Sequence, residues 1–154
     1  MSDFKIKEKN DYNLTELADS LYNLAEAAYQ TGSPWKKEQY LTDLKNDLTH
    51  YFVIEEKEKI VAFLAYQKVV DEIEIANLAV HPTAQNKGYG GILMKLVDKV
   101  PKINQIFLEV RVRNFSAKNL YLAHGYEVIS RRADYYQNPV EDALIMLKKV
   151  GPMQ

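Results

Sequence analysis

The chain has 154 residues, of which 47% are hydrophobic and 27% are charged, and its formal net charge is -1. This length suits one domain with a real core, and the balanced charge gives no basic footprint for nucleic acid. The chain has no cysteine, which excludes disulfides and zinc–thiolate sites and fits a reducing cytoplasm. Apolar runs such as IVAFLAY are too short to cross a bilayer. We therefore expect a single domain over residues 1–154, located in the cytoplasm, with neither a nucleic acid nor a membrane as its partner.

The first half of the chain alternates between strand and helix patterns. FKIKEK alternates and predicts a strand, and apolar residues at helical spacing predict a helix over residues 13–29. TGSPW breaks this helix, and a second helical pattern follows over about residues 36–48. YFVIEEKEKIVAFLAYQKVV predicts a hairpin around the charged turn at residues 55–59, and EIEIANLAV predicts one more strand.

The second half contains two helices and three strands. Residues 88–100 form a helical pattern that ends before Pro101, and QIFLEVRV predicts a strand. NFSAKNLYLAHG is typical of a capped helix, with Asn114 as its N-cap and Gly125 at its C-terminal end. YEVISRR and DALIMLKKV predict two late strands. The order β-α-α-β-β-β-α-β-α-β-β predicts an α/β (α+β) domain, with a mixed sheet of about seven strands and about four helices on its two faces.

Half of the glycines lie close together in the segment LAVHPTAQNKGYGGILMKLV. The chain has 6 glycines, and Gly88, Gly90 and Gly91 stand between a predicted strand and a predicted helix. Such a turn can present backbone N–H groups to a phosphate. The segment fits neither G-x-G-x-x-G nor the P-loop motif, and Gln85, Gly88 and Gly90 leave the pattern Q-x-x-G-x-G. The glycine spacing alone leaves open an anion-binding loop or tight helix–sheet packing without a ligand.

Two longer segments carry a family resemblance. LAVHPTAQNKGYGGILM and LEVRVRNFSAKNLYLAHGYEV resemble the GNAT acyl-CoA N-acyltransferases. LEVRVRNFSAKNLYLAHGYEVISRRADYYQNPVEDALIM is similar to a narrower group, the ribosomal-protein-alanine N-acetyltransferases (the RimI group), and the match runs from about Ile75 to Met146. This resemblance implies the GNAT fold, acetyl-CoA as cofactor and a monomer or weak dimer. It also implies acetyl transfer to an amine, namely the N-terminal alanine of a ribosomal protein.

The resemblance also implies roles for individual residues. Glu109 matches the general base, Tyr121 matches the general acid, and the Val80 N–H can hold the thioester oxygen. Asn86 departs from the family pattern, which often has a basic residue at this position. The acceptor site is implied at Trp35, Tyr135, Tyr136 and Glu141, with Asp142 beside it. The positions implied for acetyl-CoA are Leu78, Ala79, Val80, Gln85, Asn86, Lys87, Gly88, Tyr89, Gly90, Gly91 and Asn114.

Several alternatives remain open on the residues themselves. A carboxylate in the middle of a central strand is out of pattern, and Glu109 could instead pair with Arg111 or Arg113. With 11 tyrosines in the chain, a single tyrosine such as Tyr121 is usually part of the core. The isolated histidines have no metal-ligand spacing, so we expect no metal.

The function itself has two alternatives. One is a GNAT enzyme that acts on a small amine, such as a polyamine or an aminoglycoside. The other is a non-catalytic acyl-CoA-binding protein, which the combination of Glu109 and Tyr121 disfavours.

Overall fold

A computed structural model describes residues 3–151 of the chain. Within this range the elements follow the predicted order. The strands are β1 (Lys5–Glu8), β2 (Thr49–Glu56), β3 (Lys59–Val69), β4 (Glu72–Val80), β5 (Gln105–Arg111), β6 (Glu127–Tyr136) and β7 (Glu141–Lys149). The α-helices are α1 (Leu14–Ala28), α2 (Lys37–Leu44), α3 (Tyr89–Asp98) and α4 (Phe115–Ala123).

The strands form one mixed sheet in the order β1-β2-β3-β4-β5-β7-β6. Neighbouring strands are antiparallel except for β4 and β5. These two are parallel because α3 crosses over between them, which returns the chain to the same end of the sheet. The seven-stranded mixed sheet and its flanking helices confirm the predicted fold class.

The helices cover opposite faces of the sheet. Leu21 of α1 packs in one cluster with Phe63 of β3, and α2 belongs to the same cluster. Leu93 of α3 packs in a second cluster with Leu64 of β3, and α4 belongs to that cluster. Adjacent residues of a strand point to opposite faces, so β3 contributes to both cores.

The predicted second helix was too long at its C-terminus. Helix α2 ends at Leu44, and Leu48 is 50% exposed. The Asn46 side chain accepts a hydrogen bond from the Leu48 N–H at 2.9 Å, and Asp43 accepts one from the Tyr51 hydroxyl at 2.5 Å. Short polar side chains that bond to nearby groups in this way compete with helix continuation, which is why the chain turns into β2.

The sequence pattern placed Tyr135 and Tyr136 between the last two strands, but both residues belong to β6. Pairing with β7 is interrupted between Arg132 and Tyr136, which hides the strand alternation. The Asp142 carboxylate stabilises this irregular stretch, because Oδ1 accepts from the Asp134 N–H at 2.8 Å. No helix within residues 3–151 combines the length and the apolar character that crossing a bilayer requires.

Candidate active site

The sheet opens between the carboxyl ends of its two parallel strands. The β4–β5 ladder begins at the pair Glu72 and Gln105 and ends at the pair Ile75 and Leu108. Beyond this point the ends of β4 and β5 form a cleft, and α3 and α4 both begin at the same edge of the sheet. Ligands of α/β sheets bind outside the carboxyl ends of the parallel strands, so this cleft is the candidate site.

A β-bulge at Ala76 coincides with the end of the ladder. Asn77 pairs with Ala65 of β3 and Ile75 pairs with Tyr66, which leaves Ala76 as the extra residue. An extra residue reverses the side-chain alternation of a strand. Ile75 accordingly belongs to the core under α3 and α4, whereas Ala79 belongs to the core under α1 and α2.

The backbone of β4 faces the cleft at Val80. The His81 N–H donates to Val61 O at 2.8 Å, and Val80 is paired with Ala62. In an antiparallel ladder this makes the pair a non-hydrogen-bonded one, so the Val80 N–H and C=O point away from β3 and towards β5. The C=O accepts from Gln85 Nε2 at 3.1 Å. The N–H therefore points into the cleft, where an oxyanion donor would have to lie.

Two backbone conformations shape the loop between β4 and α3. Asn86 has φ +65° and Gly88 has φ +84°. Asparagine and glycine tolerate this left-handed region better than other residues, which gives a conformational reason for Asn86. A Cβ added at Gly88 would meet no atom within 4 Å. The first turn of α3, which follows Gly88, directs its N–H groups out of the helix end, as an anion site requires.

Gly90 and Gly91 have a different neighbour, helix α4. A Cβ at Gly90 would lie 3.1 Å from Leu120 Cδ2, and a Cβ at Gly91 would lie 3.4 Å from His124 Nε2. These glycines let α3 approach α4 closely. The two interpretations of the glycine cluster therefore divide between residues: open space lies at Gly88, tight packing lies at Gly90, and a Cβ at Gly91 would make an ordinary contact.

A carboxylate that the motif did not indicate sits at this loop. Glu56, at the end of β2, accepts from Lys87 Nζ at 3.1 Å and also from the Tyr89 hydroxyl. These bonds, first that of Tyr89 and then that of Lys87, lower the pKa of Glu56. Glu56 had appeared only as a hairpin-turn residue, and no sequence pattern relates it to a loop 31 residues away.

Glu109 lies half-buried on β5 at the cleft. Its Oε2 atom is buried and has no hydrogen-bond partner among the described residues. Arg111 Nη1 instead bonds to Glu141 Oε1 at 3.1 Å, and the Arg113 N–H donates to Glu141 Oε2 at 2.7 Å. The ion pair considered for Glu109 and Arg111 thus forms between Glu141 and Arg111 instead. One Glu109 oxygen therefore remains available for chemistry.

The surroundings of Glu109 are acidic and phenolic. The charge of Glu109, followed by a hydrogen bond between the two side chains, raises the pKa of Tyr135. Burial, followed by the Glu109 charge, raises the pKa of Tyr136 to about 12. Burial and then the same charge raise the pKa of Glu74. Glu109 and both predicted acceptor tyrosines are therefore together, and Tyr135 is 45% exposed.

Tyr121 of α4 joins this group from the other side. It is 6% exposed, and burial, followed by the nearby Tyr136, raises its pKa. Burial and then Tyr121 raise the pKa of Tyr29, to which Tyr136 also contributes. The phenols of three elements thus lie within electrostatic reach of one another, and Tyr121 is protonated at neutral pH.

The remaining predicted residues have structural partners. The Asn114 side chain accepts from the Ala117 N–H at 3.2 Å and so caps α4, as predicted. Glu141 is fully engaged by its arginine partner and a backbone N–H, and that partner, Arg111, lies 4.4 Å from the Tyr136 ring centroid. The Trp35 ring packs 5.1 Å from the ring of Tyr40. Glu141 therefore holds Arg111 beside Tyr136, whereas Trp35 packs against α2.

Sequence reasoning missed two residues on the β4 side of the cleft. The Tyr29 hydroxyl, at the end of α1, lies 2.8 Å from Leu78 O and 2.8 Å from Asn77 Oδ1. Asn77 is a buried polar residue, 3% exposed. An asparagine in the apolar segment EIEIANLAV was a usable signal, whereas no local pattern marks Tyr29. Within residues 3–151 no group of three or more His, Cys, Asp or Glu side chains could hold a metal ion.

Comparison with known proteins gives consistent results. Residues 15–126 match the family described as Acetyltransferase (GNAT) family. A putative [ribosomal protein bS18]-alanine N-acetyltransferase of Bacillus subtilis is 31% identical over 83% of this chain and 86% of its own length. The [ribosomal protein bS18]-alanine N-acetyltransferase of Haemophilus ducreyi is 34% identical over 82% of this chain and 89% of its own. The crystal structure of the ribosomal-protein-S18-alanine N-acetyltransferase from Escherichia coli superposes with a TM-score of 0.83 at 25% identity, covering 99% of this chain and 97% of that one.

Proposed function

The chain belongs to the acetyltransferase (GNAT) family and is an N-acetyltransferase, and we propose that it acetylates the N-terminal alanine of a ribosomal protein, the bS18 homologue, with acetyl-CoA as donor. The observation that supports catalysis is the buried Oε2 atom of Glu109 at the cleft, which has no hydrogen-bond partner among the described residues, and the named relatives support the acceptor. A pure binding protein has no use for a buried carboxylate oxygen without a partner, because burying such a group is costly.

The loop from Gln85 to Gly91 fits the pyrophosphate of acetyl-CoA. The open space at Gly88 and the N-terminal turn of α3 supply room and N–H donors for an anion. Lys87 adds a positive charge to the loop, and this charge forms a salt bridge with Glu56. The edge of β4 from Leu78 to Val80 offers backbone groups to the amide-bearing arm of the donor.

Acetyl-CoA supplies an acetyl group activated as a thioester, and the residues of the chain move the protons. Glu109 accepts a proton from the acceptor amine, so that the neutral amine can attack. The Val80 N–H stabilises the negative charge that develops on the carbonyl oxygen. Tyr121 donates its proton to the departing sulfur, and its raised pKa means that it carries this proton at neutral pH.

An α-amine is the acceptor that this base can deprotonate most easily. The reference pKa is about 8 for an α-amine and about 10.4 for a lysine, a difference that corresponds to roughly 3.3 kcal/mol. Tyr135 and Tyr136, beside Glu109, form one wall of the acceptor channel, with Trp35 on the α1–α2 loop towards the other. A ribosomal acceptor also implies that the protein acts in the cytoplasm.

The test is acetyl transfer to a peptide with a free N-terminal alanine and one internal lysine. Thiol release gives the rate, and mass spectrometry locates the acetyl group. We expect the acetyl group on the α-amine, with no reaction when the N-terminus is blocked. Acetylation of the lysine alone, or of a polyamine such as spermidine in place of the peptide, would contradict the proposed acceptor.

A further inference from the structure

A chain of hydrogen bonds, buried at its centre and partly buried at its ends, connects the α1–α2 loop to the edge of β4. We call its members, Ser33, Tyr40, Asn77 and Tyr29, the Tyr40 relay. Ser33 Oγ lies 3.1 Å from the Tyr40 hydroxyl, which accepts from Asn77 Nδ2 at 2.9 Å. The Tyr29 hydroxyl lies 2.8 Å from Asn77 Oδ1. The Asn77 amide of β4 thus joins the end of α1 to α2, and Tyr40 extends this connection to the loop between those helices.

The two ends of the relay lie at the two sides of the proposed reaction. At one end, Ser33 Oγ donates to Trp35 O at 2.7 Å, which holds the loop proposed to border the acceptor. At the other end, the Tyr29 hydroxyl lies 2.8 Å from Leu78 O, on the strand proposed to run beside the donor. A displacement at one end can therefore reach the other without crossing solvent.

The bulge in β4 is what brings Asn77 into the relay. Without the extra residue Ala76, the alternation that places Ile73 and Ile75 under α3 and α4 would place residue 77 there as well. With the bulge, its amide faces α1 and α2 instead. A buried amide is tolerated because it is hydrogen-bonded, and both the oxygen and the nitrogen of Asn77 find partners in this relay.

We propose that Tyr40 and Asn77 are positioning residues that fix the Ser33–Trp35 segment relative to the β4 edge, so that the acceptor amine is held in register with the thioester. This inference rests on the proposed function, in which the segment borders the acceptor. The segment has little regular structure of its own: it follows Gly32, at φ +81°, and it contains Pro34. The Ser33 N–H also donates a hydrogen bond to Glu26 Oε1 at 2.6 Å, which connects the segment to α1 rather than to β4.

The chain offers a closely matched control for Tyr40, namely Tyr51. Both side chains are buried, at 0% and 1% exposure, and both rings lie against Phe63, with centroids 6.1 and 6.3 Å away. The Tyr51 hydroxyl donates to Asp43, outside the relay. Tyr40→Phe and Tyr51→Phe therefore each remove one buried hydroxyl from the same core, and only the first cuts the relay.

The experiment compares these two variants with the wild type in steady-state kinetics, acetyl-CoA binding and amide hydrogen exchange. We expect Tyr40→Phe to raise the KM for the alanine peptide about three- to tenfold, the range of one hydrogen bond, with little change in acetyl-CoA affinity. Exchange over residues 31–36 should become faster. Tyr51→Phe should change neither the KM for the peptide nor the exchange over residues 31–36. If Tyr40→Phe folds poorly, Ser33→Ala takes its place. It cuts the relay at its loop end and should show the changes expected of Tyr40→Phe.

The outcomes separate this inference from the proposed function. A wild type that does not acetylate the peptide would contradict the proposed acceptor, and the exchange comparison would still test the relay. Equal exchange over residues 31–36 in Tyr40→Phe and Tyr51→Phe, or equal changes in KM, would overturn the positioning role, because both hydroxyls would then contribute only to stability.

Discussion

The two walls of the cleft are built from different parts of the chain. The β4 wall offers main-chain groups: the Val80 N–H, the Leu78 carbonyl and, beyond them, the turn at Gly88. The β5 wall offers side chains: Glu109, whose Oε2 atom has no hydrogen-bond partner within residues 3–151, and, from the helix that follows, Tyr121. We therefore expect one wall to hold a ligand through the backbone and the other wall to carry out proton transfer.

This difference follows from where the ladder ends. Up to Ile75 the backbone of β4 pairs with β5. After the bulge at Ala76 this edge of β4 no longer pairs with β5, so its backbone groups can contact a ligand. Main-chain groups tolerate most substitutions that preserve the backbone, whereas a catalytic side chain tolerates almost none. Substitutions on the two walls should accordingly fail in different ways.

The largest effect is expected at Glu109 of the β5 wall. Glu109→Gln should lower kcat/KM about 10²- to 10⁴-fold, because the acceptor must lose its proton unaided. The rate should recover partly as the pH approaches the pKa of an α-amine, about 8. The measurement is kcat/KM against pH, with Glu72→Gln as the control that removes an exposed carboxylate from the paired part of β4, where it accepts a bond from Gln105. A rate near that of the wild type at pH 7 would show that another residue is the base.

A somewhat smaller effect is expected at Tyr121. Tyr121→Phe should lower kcat about 10²-fold, because the ring remains but the proton donor is lost. Raising the pH should give no recovery of the kind seen for Glu109→Gln, and the affinity for acetyl-CoA, measured by calorimetry, should persist. If affinity falls while kcat is unchanged, Tyr121 binds the donor and the acid role is wrong.

The glycines of the β4 wall should separate binding from packing. Gly90→Val should lower the free energy of unfolding by about 1 to 3 kcal/mol, because the new methyl groups meet Leu120 in a close-packed contact. Gly88→Ala meets no atom, but a φ of +84° costs an alanine about 1 to 2 kcal/mol. It should weaken acetyl-CoA binding more than Gly90→Val does. Urea unfolding and calorimetry on both variants give this ranking, and the opposite order would mean that Gly88 is only structural.

The smallest effect is expected from the Glu74 carboxyl, which belongs to the paired part of β4. Its pKa is raised by burial and by Glu109, so its contribution to stability is present below the unfolded value, about 4.3. That contribution is lost as the pH rises through the folded value. The side chain introduced by Glu74→Gln does not titrate, so the variant does not lose stability in this way. Its free energy of unfolding minus that of the wild type should therefore rise between pH 4 and pH 8. The rise should be less than about 1 kcal/mol, since the Glu74 carboxyl is partly solvated. Urea unfolding at both pH values measures it, and a pH-independent difference would contradict it.

Local signals carried most of the fold. The order of strands and helices, the hairpin predicted around residues 55–59, and the Asn114 cap all rest on patterns within a few residues, and all are confirmed, with the turn itself at Lys57 and Glu58. The end of α2 and the length of β6 were wrong, because Asp43 and Asp142 form bonds to residues that no periodicity reveals. The single-domain boundary, the oligomeric state and the site roles stay predictions.

The sequence by itself determined the elements, the family and the glycine-rich turn, because period, capping and motif are properties of neighbouring residues. Only the tertiary structure decided that Arg111 pairs with Glu141 and not with Glu109, and that Glu56 lies at the loop between β4 and α3. It alone joined Tyr29, Tyr40 and Asn77 into one relay. Those contacts depend on strand register and on the one-residue bulge at Ala76, which reverses the faces of β4. A shift of one residue leaves the composition and the local pattern almost unchanged, yet it changes which side chains meet.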